Sequence, residues 1–364
     1  MTNSSQDKNK KRILIMAGGT GGHIFPGLAL AKELIGRGHN VKWLGTKAGM
    51  ESDLVPKHDI DIHFIPVRGV RGKGVKGLLK APWNIIASVI TAAREIRIID
   101  PQVVVGLGGF VAGPGGFAAK LKNIPLVIHE QNAIPGTTNK LLSKIATRVL
   151  TAFPCNLPNS LCIGNPVRKE IESISAPEVR LSQRTGATNV LVVGGSRGAL
   201  AVNELLPPAI KKIVNAGELN IWHQTGAGKD SAVIEQYEAC SVSARVEPFI
   251  DDMAEALAWA DIVICRAGAL TVSELAAAGL GSVLVPFPFA IDDHQTHNAL
   301  YLSSLGAAIL KQQKDLTPDI LAEILEDFIF DRDVLIEMAN KARVLAKPEA
   351  ARIFADYCEE VANA

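Results

Sequence analysis

The sequence predicts an α/β fold of two Rossmann-like, doubly wound parallel-sheet domains, on three observations. Short β-branched runs alternate with amphipathic helical stretches along the whole chain, the pattern of parallel strands joined by crossover helices. A strand that runs into a glycine cluster and then a helix occurs once in each half, at Ile13-Leu14-Ile15-Met16-Ala17-Gly18-Gly19-Thr20-Gly21-Gly22-His23 and at Asn189-Val190-Leu191-Val192-Val193-Gly194-Gly195-Ser196-Arg197-Gly198-Ala199. At 364 residues the chain exceeds what one core usually supports.

Taken in order, the first half predicts strands near Arg12–Ala17, Asn40–Leu44, Asp61–Pro66, Val103–Gly106, Leu126–His129 and Arg148–Thr151. The second half predicts strands near Val190–Val193, Leu219–Gln224, Ala244–Pro248, Ile262–Cys265 and Ser282–Val285. The halves echo each other: Asp100–Gly106 resembles Ala260–Arg266, and Lys122–Ile128 parallels Gly281–Pro286. Pro154–Asn189, rich in Pro, Asn, Ser and Thr, reads as a linker. Thr317–Ala364 reads as helical, with a break near Lys347 imposed by Pro348. The predicted division is 1–167, 168–346 and a terminal helix, 347–364, that packs back on the first domain.

Hydrophobic residues make up 48% and charged residues 21%, with a net charge of +1, an ordinary soluble composition that gives a nucleic-acid partner no global support. The five cysteines contain no C-x-x-C pair and read as reduced thiols. Met1–Arg12 is polar and basic, unlike a signal peptide, and no apolar run reaches the length of a membrane span.

The glycine turns fail two familiar patterns. A dinucleotide fingerprint needs a third glycine where Ile24 stands and an acid after the second strand, which ends Leu44-Gly45-Thr46. A P-loop needs lysine where Leu28 stands. What remains is a backbone cradle at a helix N-terminus, suited to phosphate, with a histidine beside the first one. Tight strand–helix packing is the alternative for any single turn.

Several segments resemble the members of glycosyltransferase family 28 that complete the lipid-linked bacterial peptidoglycan precursor lipid II. They are Gly18–His23, Gly106–Gly116, His129-Glu130-Gln131-Asn132, Gly164-Asn165-Pro166-Val167-Arg168, Gly194–Ala199, Arg266–Glu274 and Asp292–Ala299. The resemblance implies a GT-B fold, two Rossmann-like domains facing an interdomain cleft. The activity it implies is inverting transfer of N-acetylglucosamine from UDP-GlcNAc to the muramyl 4-hydroxyl of lipid I; no cofactor is expected, and helix N-termini are favoured over a metal for the leaving diphosphate. It implies the acceptor and membrane on the N-terminal domain and the donor on the C-terminal one.

His23 is the leading candidate for the base, since an imidazole is largely neutral near pH 7; a ligand contact is its other reading, and Glu130 is a second proton acceptor. By resemblance, Thr20, Gly21, Gly22, Asn132, Arg168, Ser196, Ile250, Ala269, Leu270, Thr271, Val272, Ser273, Glu274, Gln295 and Asn298 bind UDP-GlcNAc. Glu274 suits a ribose hydroxyl; Gln295 and Asn298 suit sugar hydroxyls. Gly108, Gly109, Gly115 and Gly116 are candidates for the acceptor diphosphate, or packing glycines. Asp59-Ile60-Asp61 and Asp331-Arg332-Asp333 read as surface carboxylates, and His294 with His297 as polar lining.

The basic stretch from Arg68 to Lys80 precedes an apolar one from Trp83. Lys73, Lys76, Leu78, Leu79, Lys80 and Trp83 would suit docking on an anionic membrane surface; a loop before a core-facing helix is the other reading. The family implies a peripheral protein on the cytoplasmic face of the inner membrane, in contact with other cell-wall synthesis proteins. A UDP-sugar epimerase or hydrolase and an inactive nucleotide-sugar binding protein are the rivals.

Overall fold

The computed structural model describes residues 10–67, 74–195, 198–213, 219–329 and 331–364, and the side chains of these except 74–82, 328 and 329. Two compact units form: residues 1–168 with 348–364, and residues 169–347.

The first unit runs β1 (Arg12–Met16), α1 (Gly21–Gly36), β2 (Asn40–Gly45), α2 (Glu51–Leu54), β3 (Asp61–Phe64), α3 (Gly74–Ile99), β4 (Val103–Gly106), α4 (Gly109–Leu121), β5 (Leu126–Glu130), α5 (Thr137–Leu142), β6 (Arg148–Thr151) and β7 (Ser160–Cys162). Its strands pair in parallel in the order β3-β2-β1-β4-β5-β6-β7. Because side chains alternate across a strand, β1 serves two cores. Ile13 and Ile15 pack in a cluster with Leu30 and Leu34 of α1. Leu14 and Met16 pack on the other face with Ala92 and Ile96 of α3 and Ala118 of α4.

The second unit runs α6 (Lys169–Glu172), α7 (Pro177–Leu181), β8 (Thr188–Val193), α8 (Leu200–Lys212), β9 (Leu219–Gln224), α9 (Asp230–Ala239), β10 (Arg245–Glu247), α10 (Met253–Trp259), β11 (Ile262–Cys265), α11 (Ala269–Ala278), β12 (Gly281–Leu284), α12 (His294–Ser303), β13 (Ala308–Leu310), α13 (Pro318–Ile329) and α14 (Arg332–Val344). The strand order is β10-β9-β8-β11-β12-β13, again parallel. The echoed segments take equivalent places, β4 beside β1 and β11 beside β8.

The chain then returns to the first unit as α15 (Ala350–Asn363), which packs on α1. Phe354 and Cys358 are fully buried there. Arg37 pairs with Glu33, Asp356 and Glu359, and His39 Nε2 lies 2.7 Å from Glu359.

Three sequence expectations change. Pro154–Asn189, within which the chain passes from the first unit to the second, is not irregular: it contains β7, α6, α7 and the start of β8. Its composition is that of a short edge strand and of a helix opened by proline, with Pro177 at the first turn of α7. The structure adds two strands the sequence pattern did not indicate, β7 and β13, of three residues each. The terminal helical stretch is divided before Pro348 as well, where Asp331 caps α14 by accepting from the amides of Asp333 and Val334.

Candidate active site

In each sheet the strand order reverses direction between two neighbours, β1 and β4 in the first unit and β8 and β11 in the second. Beyond the carboxyl ends of such strands a crevice opens, because the flanking helices leave to opposite faces. The glycine turns lie at both of these points.

In the first unit, Thr20 is the extended residue before α1, and its carbonyl accepts from the amides of His23 and Ile24. This fixes His23 in the first helical turn. Its Nδ1 lies 3.4 Å from Thr20 Oγ1. Its Nε2 faces the turn after β4, where a Cβ on Gly108 would come within 3.2 Å of it. Gly108 has φ +90°, and Gly109, at φ +74°, approaches so closely that a Cβ would lie 2.7 Å from the Gly18 carbonyl oxygen. The two turns therefore interlock through glycines that no other residue replaces without strain.

Gly115 and Gly116 lie further along the helix that Gly109 opens. They are buried in α4, where Cβ atoms would lie 2.1 Å from Met16 Sδ and 2.7 Å from Leu142 Cδ2. Glu130 ends β5. Its buried carboxylate accepts from the Asn132 and Gly136 amides and from Asn139 Nδ2 at 2.9–3.0 Å, which shapes the loop after β5. His129 beneath it bonds to the Gly164 carbonyl, stacks on Phe354, and is driven down to about 4 by burial, so it is neutral at pH 7. Arg168 stands in this unit with its guanidinium over Phe25, 5.4 Å from the ring centre.

In the second unit, Gln224 holds the turn after β8. Its Oε1 accepts from Gly195 N at 2.9 Å, and its amide donates to Gly195 O and Pro248 O. Gly198, at φ +68°, sits where a Cβ would lie 2.2 Å from the Thr225 carbonyl oxygen and 2.9 Å from Lys229 Nζ. Lys229 is a cation that the sequence reading passed over, since nothing in its local pattern ties it to this turn. Ser196 lies outside the described residues, as does Lys73; Lys76, Leu78, Leu79 and Lys80 fall in α3, where side chains are outside the description.

The next turn leads from β11 into α11. Gly268 precedes the helix in extended conformation, and among the described residues no side chain caps it. Its first turns carry Ala269, Leu270, Thr271, Val272, Ser273 and Glu274, with Glu274 buried. Asn298 is also fully buried, donating to the Ala267 carbonyl at 3.2 Å, and so holds this turn from behind. Gln295 accepts from the Phe287 amide at 2.9 Å through Oε1. Ile250 is buried in the loop after β10. His294 and His297 bond through Nδ1 to the carbonyls of Ile291 and Asp293. Among the described residues no three His, Cys, Asp or Glu side chains gather into a metal-binding group.

Two doubly wound sheets, each with a glycine turn at its switch point, define the GT-B class. The N-terminal domain model of glycosyltransferase family 28 matches residues 13–151 and its C-terminal domain model residues 189–354. The chain belongs to glycosyltransferase family 28. It is 52% identical over 357 residues to the UDP-N-acetylglucosamine--N-acetylmuramyl-(pentapeptide) pyrophosphoryl-undecaprenol N-acetylglucosamine transferase of Saccharophagus degradans, covering 96% of this chain and 92% of that protein. The protein of that name from Marinobacter nauticus is 51% identical, covering 98% and 99%. The crystal structure of Acinetobacter baumannii MurG matches with a TM-score of 0.83 at 43% identity, over 96% of this chain and 99% of that one.

Proposed function

We propose that this chain transfers N-acetylglucosamine from UDP-N-acetylglucosamine to the muramyl 4-hydroxyl of the undecaprenyl-pyrophosphoryl-MurNAc-pentapeptide acceptor, lipid I, with inversion, to give lipid II. The observation that carries this reading is the unequal pair of turns. Both lie at switch points, but only the first bears a histidine, with Nε2 turned toward the facing Gly108 turn.

In this reading His23 Nε2 accepts the proton of the acceptor hydroxyl as its oxygen attacks the anomeric carbon. The new C–O bond forms as the bond to the UDP phosphate breaks, and the proton passes on to solvent. Base catalysis of this kind is worth roughly 10²–10⁴-fold. The charge that develops on UDP falls to the Gly194–Gly198 turn, Ser196 and the N-terminal end of α11, where amide dipoles stabilise an anion without a metal. Thr20, Gly21, Gly22, Asn132 and Arg168 are assigned to the donor as well, with Ile250 at the uracil, Glu274 at the ribose, and Gln295 and Asn298 at the sugar. Gly108 and Gly109 are assigned to the acceptor diphosphate.

Among the described residues no helix is long and apolar enough to cross a membrane. A lipid acceptor then requires docking. On α3, Trp83 (75% exposed), Ile86 and Ile90 turn one apolar stripe outward, and on α4 Phe117 and Leu121 turn another. With Lys73, Lys76, Leu78, Leu79 and Lys80 alongside in sequence, this surface suits the anionic cytoplasmic leaflet of the inner membrane. Contacts with other cell-wall synthesis proteins belong to the same reading.

Purified protein given labelled UDP-GlcNAc and a lipid I analogue, with and without EDTA, tests it. Labelled lipid II in both samples is expected. No transfer overturns the reaction, and loss of transfer in EDTA overturns the metal-free mechanism.

A further inference from the structure

The first glycine turn is filled from within by a carboxylate. Glu51, the first residue of α2, is fully buried. Its Oε2 accepts from the Gly19 amide at 3.0 Å. Its Oε1 accepts from the Thr46 amide at 2.9 Å and from Thr46 Oγ1 at 2.8 Å. Three glycines make room for it. A Cβ on Gly18 would lie 2.5 Å from Oε1, on Gly45 2.7 Å from Cγ, and on Gly49 2.0 Å from Oε2. The end of β1, the end of β2 and the loop between β2 and α2 thus converge on one side chain.

The chemistry of that side chain is specific. All three partners are donors, and two of them meet the same oxygen. A carboxylate accepts at both of its oxygens without a donor of its own; an amide of the same shape turns N–H groups against N–H or O–H on one side. In the second unit the equivalent amide, Gly195 N–H, is held by the neutral Gln224. The first turn therefore already holds a negative charge, and the Gly19 amide that a phosphate would use is taken. A buried anion repels a second one placed in contact with it, so the donor diphosphate is favoured at the second turn rather than the first.

We propose that Glu51 is the positioning residue of the first turn: it denies the Gly19 amide to the donor diphosphate and holds the turn through Thr20, and with it His23, in the orientation used on the acceptor hydroxyl. This rests on the reading of His23 as the base. Glu51 itself touches neither substrate; it acts through the turn.

The experiment uses the full-length protein and two variants. Glu51→Gln keeps the shape and removes the charge. Gly49→Ala keeps the carboxylate and displaces it. Turnover is normalised to UDP-binding sites measured by calorimetry, so any unfolded fraction cancels. Each variant is expected to lose about 10–100-fold in kcat, with KM for UDP-GlcNAc within about twofold of wild type, the signature of misplaced geometry and not of lost donor binding. A merely structural role changes the number of UDP sites and leaves turnover per site untouched, which overturns the proposal. Should one variant fail to fold, the other decides. Wild-type transfer in the same assay separates the two levels. Its absence overturns the reading beneath, whereas wild-type transfer with unchanged kcat in the variants overturns the role of Glu51 alone.

Discussion

The α-carbon of Gly108 is seated against the imidazole of His23: a Cβ there would come within 3.2 Å of Nε2 and 3.3 Å of Cδ2. The residue also holds φ +90°. Gly108→Ala thus strains the backbone, by about 1–3 kcal/mol, and pushes the ring aside. The expected result is lower stability in denaturant together with a fall in kcat larger than any change in UDP affinity. A variant with normal turnover places the reactive nitrogen elsewhere.

Replacing the ring is the sharper probe. His23→Ala is expected to lower kcat by about 10²–10⁴-fold while calorimetry still detects UDP binding. Near-normal turnover with weakened binding makes His23 a ligand contact instead of the base.

The donor turn makes a separate prediction. At Gly198 the conformation is left-handed and a Cβ would meet the Thr225 carbonyl oxygen at 2.2 Å. Gly198→Ala is expected to cost about 1–3 kcal/mol locally and to appear as weaker UDP binding. Unchanged UDP affinity in a folded variant moves the diphosphate away from this turn.

Vesicle sedimentation tests the surface. Trp83→Ala with Ile86→Asp removes exposed apolar area from α3, and Lys73, Lys76 and Lys80 changed to Glu reverse the charge. Each basic contact at an anionic surface is worth about 1 kcal/mol, so the triple variant is expected to lose binding to phosphatidylglycerol vesicles, and the wild type to lose it with added salt. Full retention by both variants refutes the docking surface.

Stability should depend on pH through two buried histidines. Burial drives His129 and His223 from 6.5 down to about 4. Between these values the unfolded chain binds protons that the folded one refuses. Stability is therefore full above pH 6.5 and falls as the pH drops toward 4. Denaturant midpoints across that window should fall less steeply in a folded His223→Gln variant. An identical slope excludes His223 from the effect.

Local sequence carried much of this molecule. The alternation of apolar strands with amphipathic helices determined two parallel α/β units, and the glycine clusters after Met16 and Val193 marked where each sheet turns its backbone outward, because a strand, a glycine and a helix start are neighbours in the chain. The short edge strands at Ser160–Cys162 and Ala308–Leu310 escaped. What lay beyond the sequence was the close contacts between particular distant side chains and turns. Gly108 meets His23, Gly115 packs on Met16, and Glu51 reaches the Gly19 amide only because parallel pairing of β2 and β4 with β1 brings their ends to one edge. A carboxylate in Glu-Ser-Asp-Leu looks like any surface acid; burial against three glycines decides its partners. Residue type and periodicity are local and can be read along a chain, whereas hydrogen-bond satisfaction and close approach are settled by which strand ends the sheet brings together.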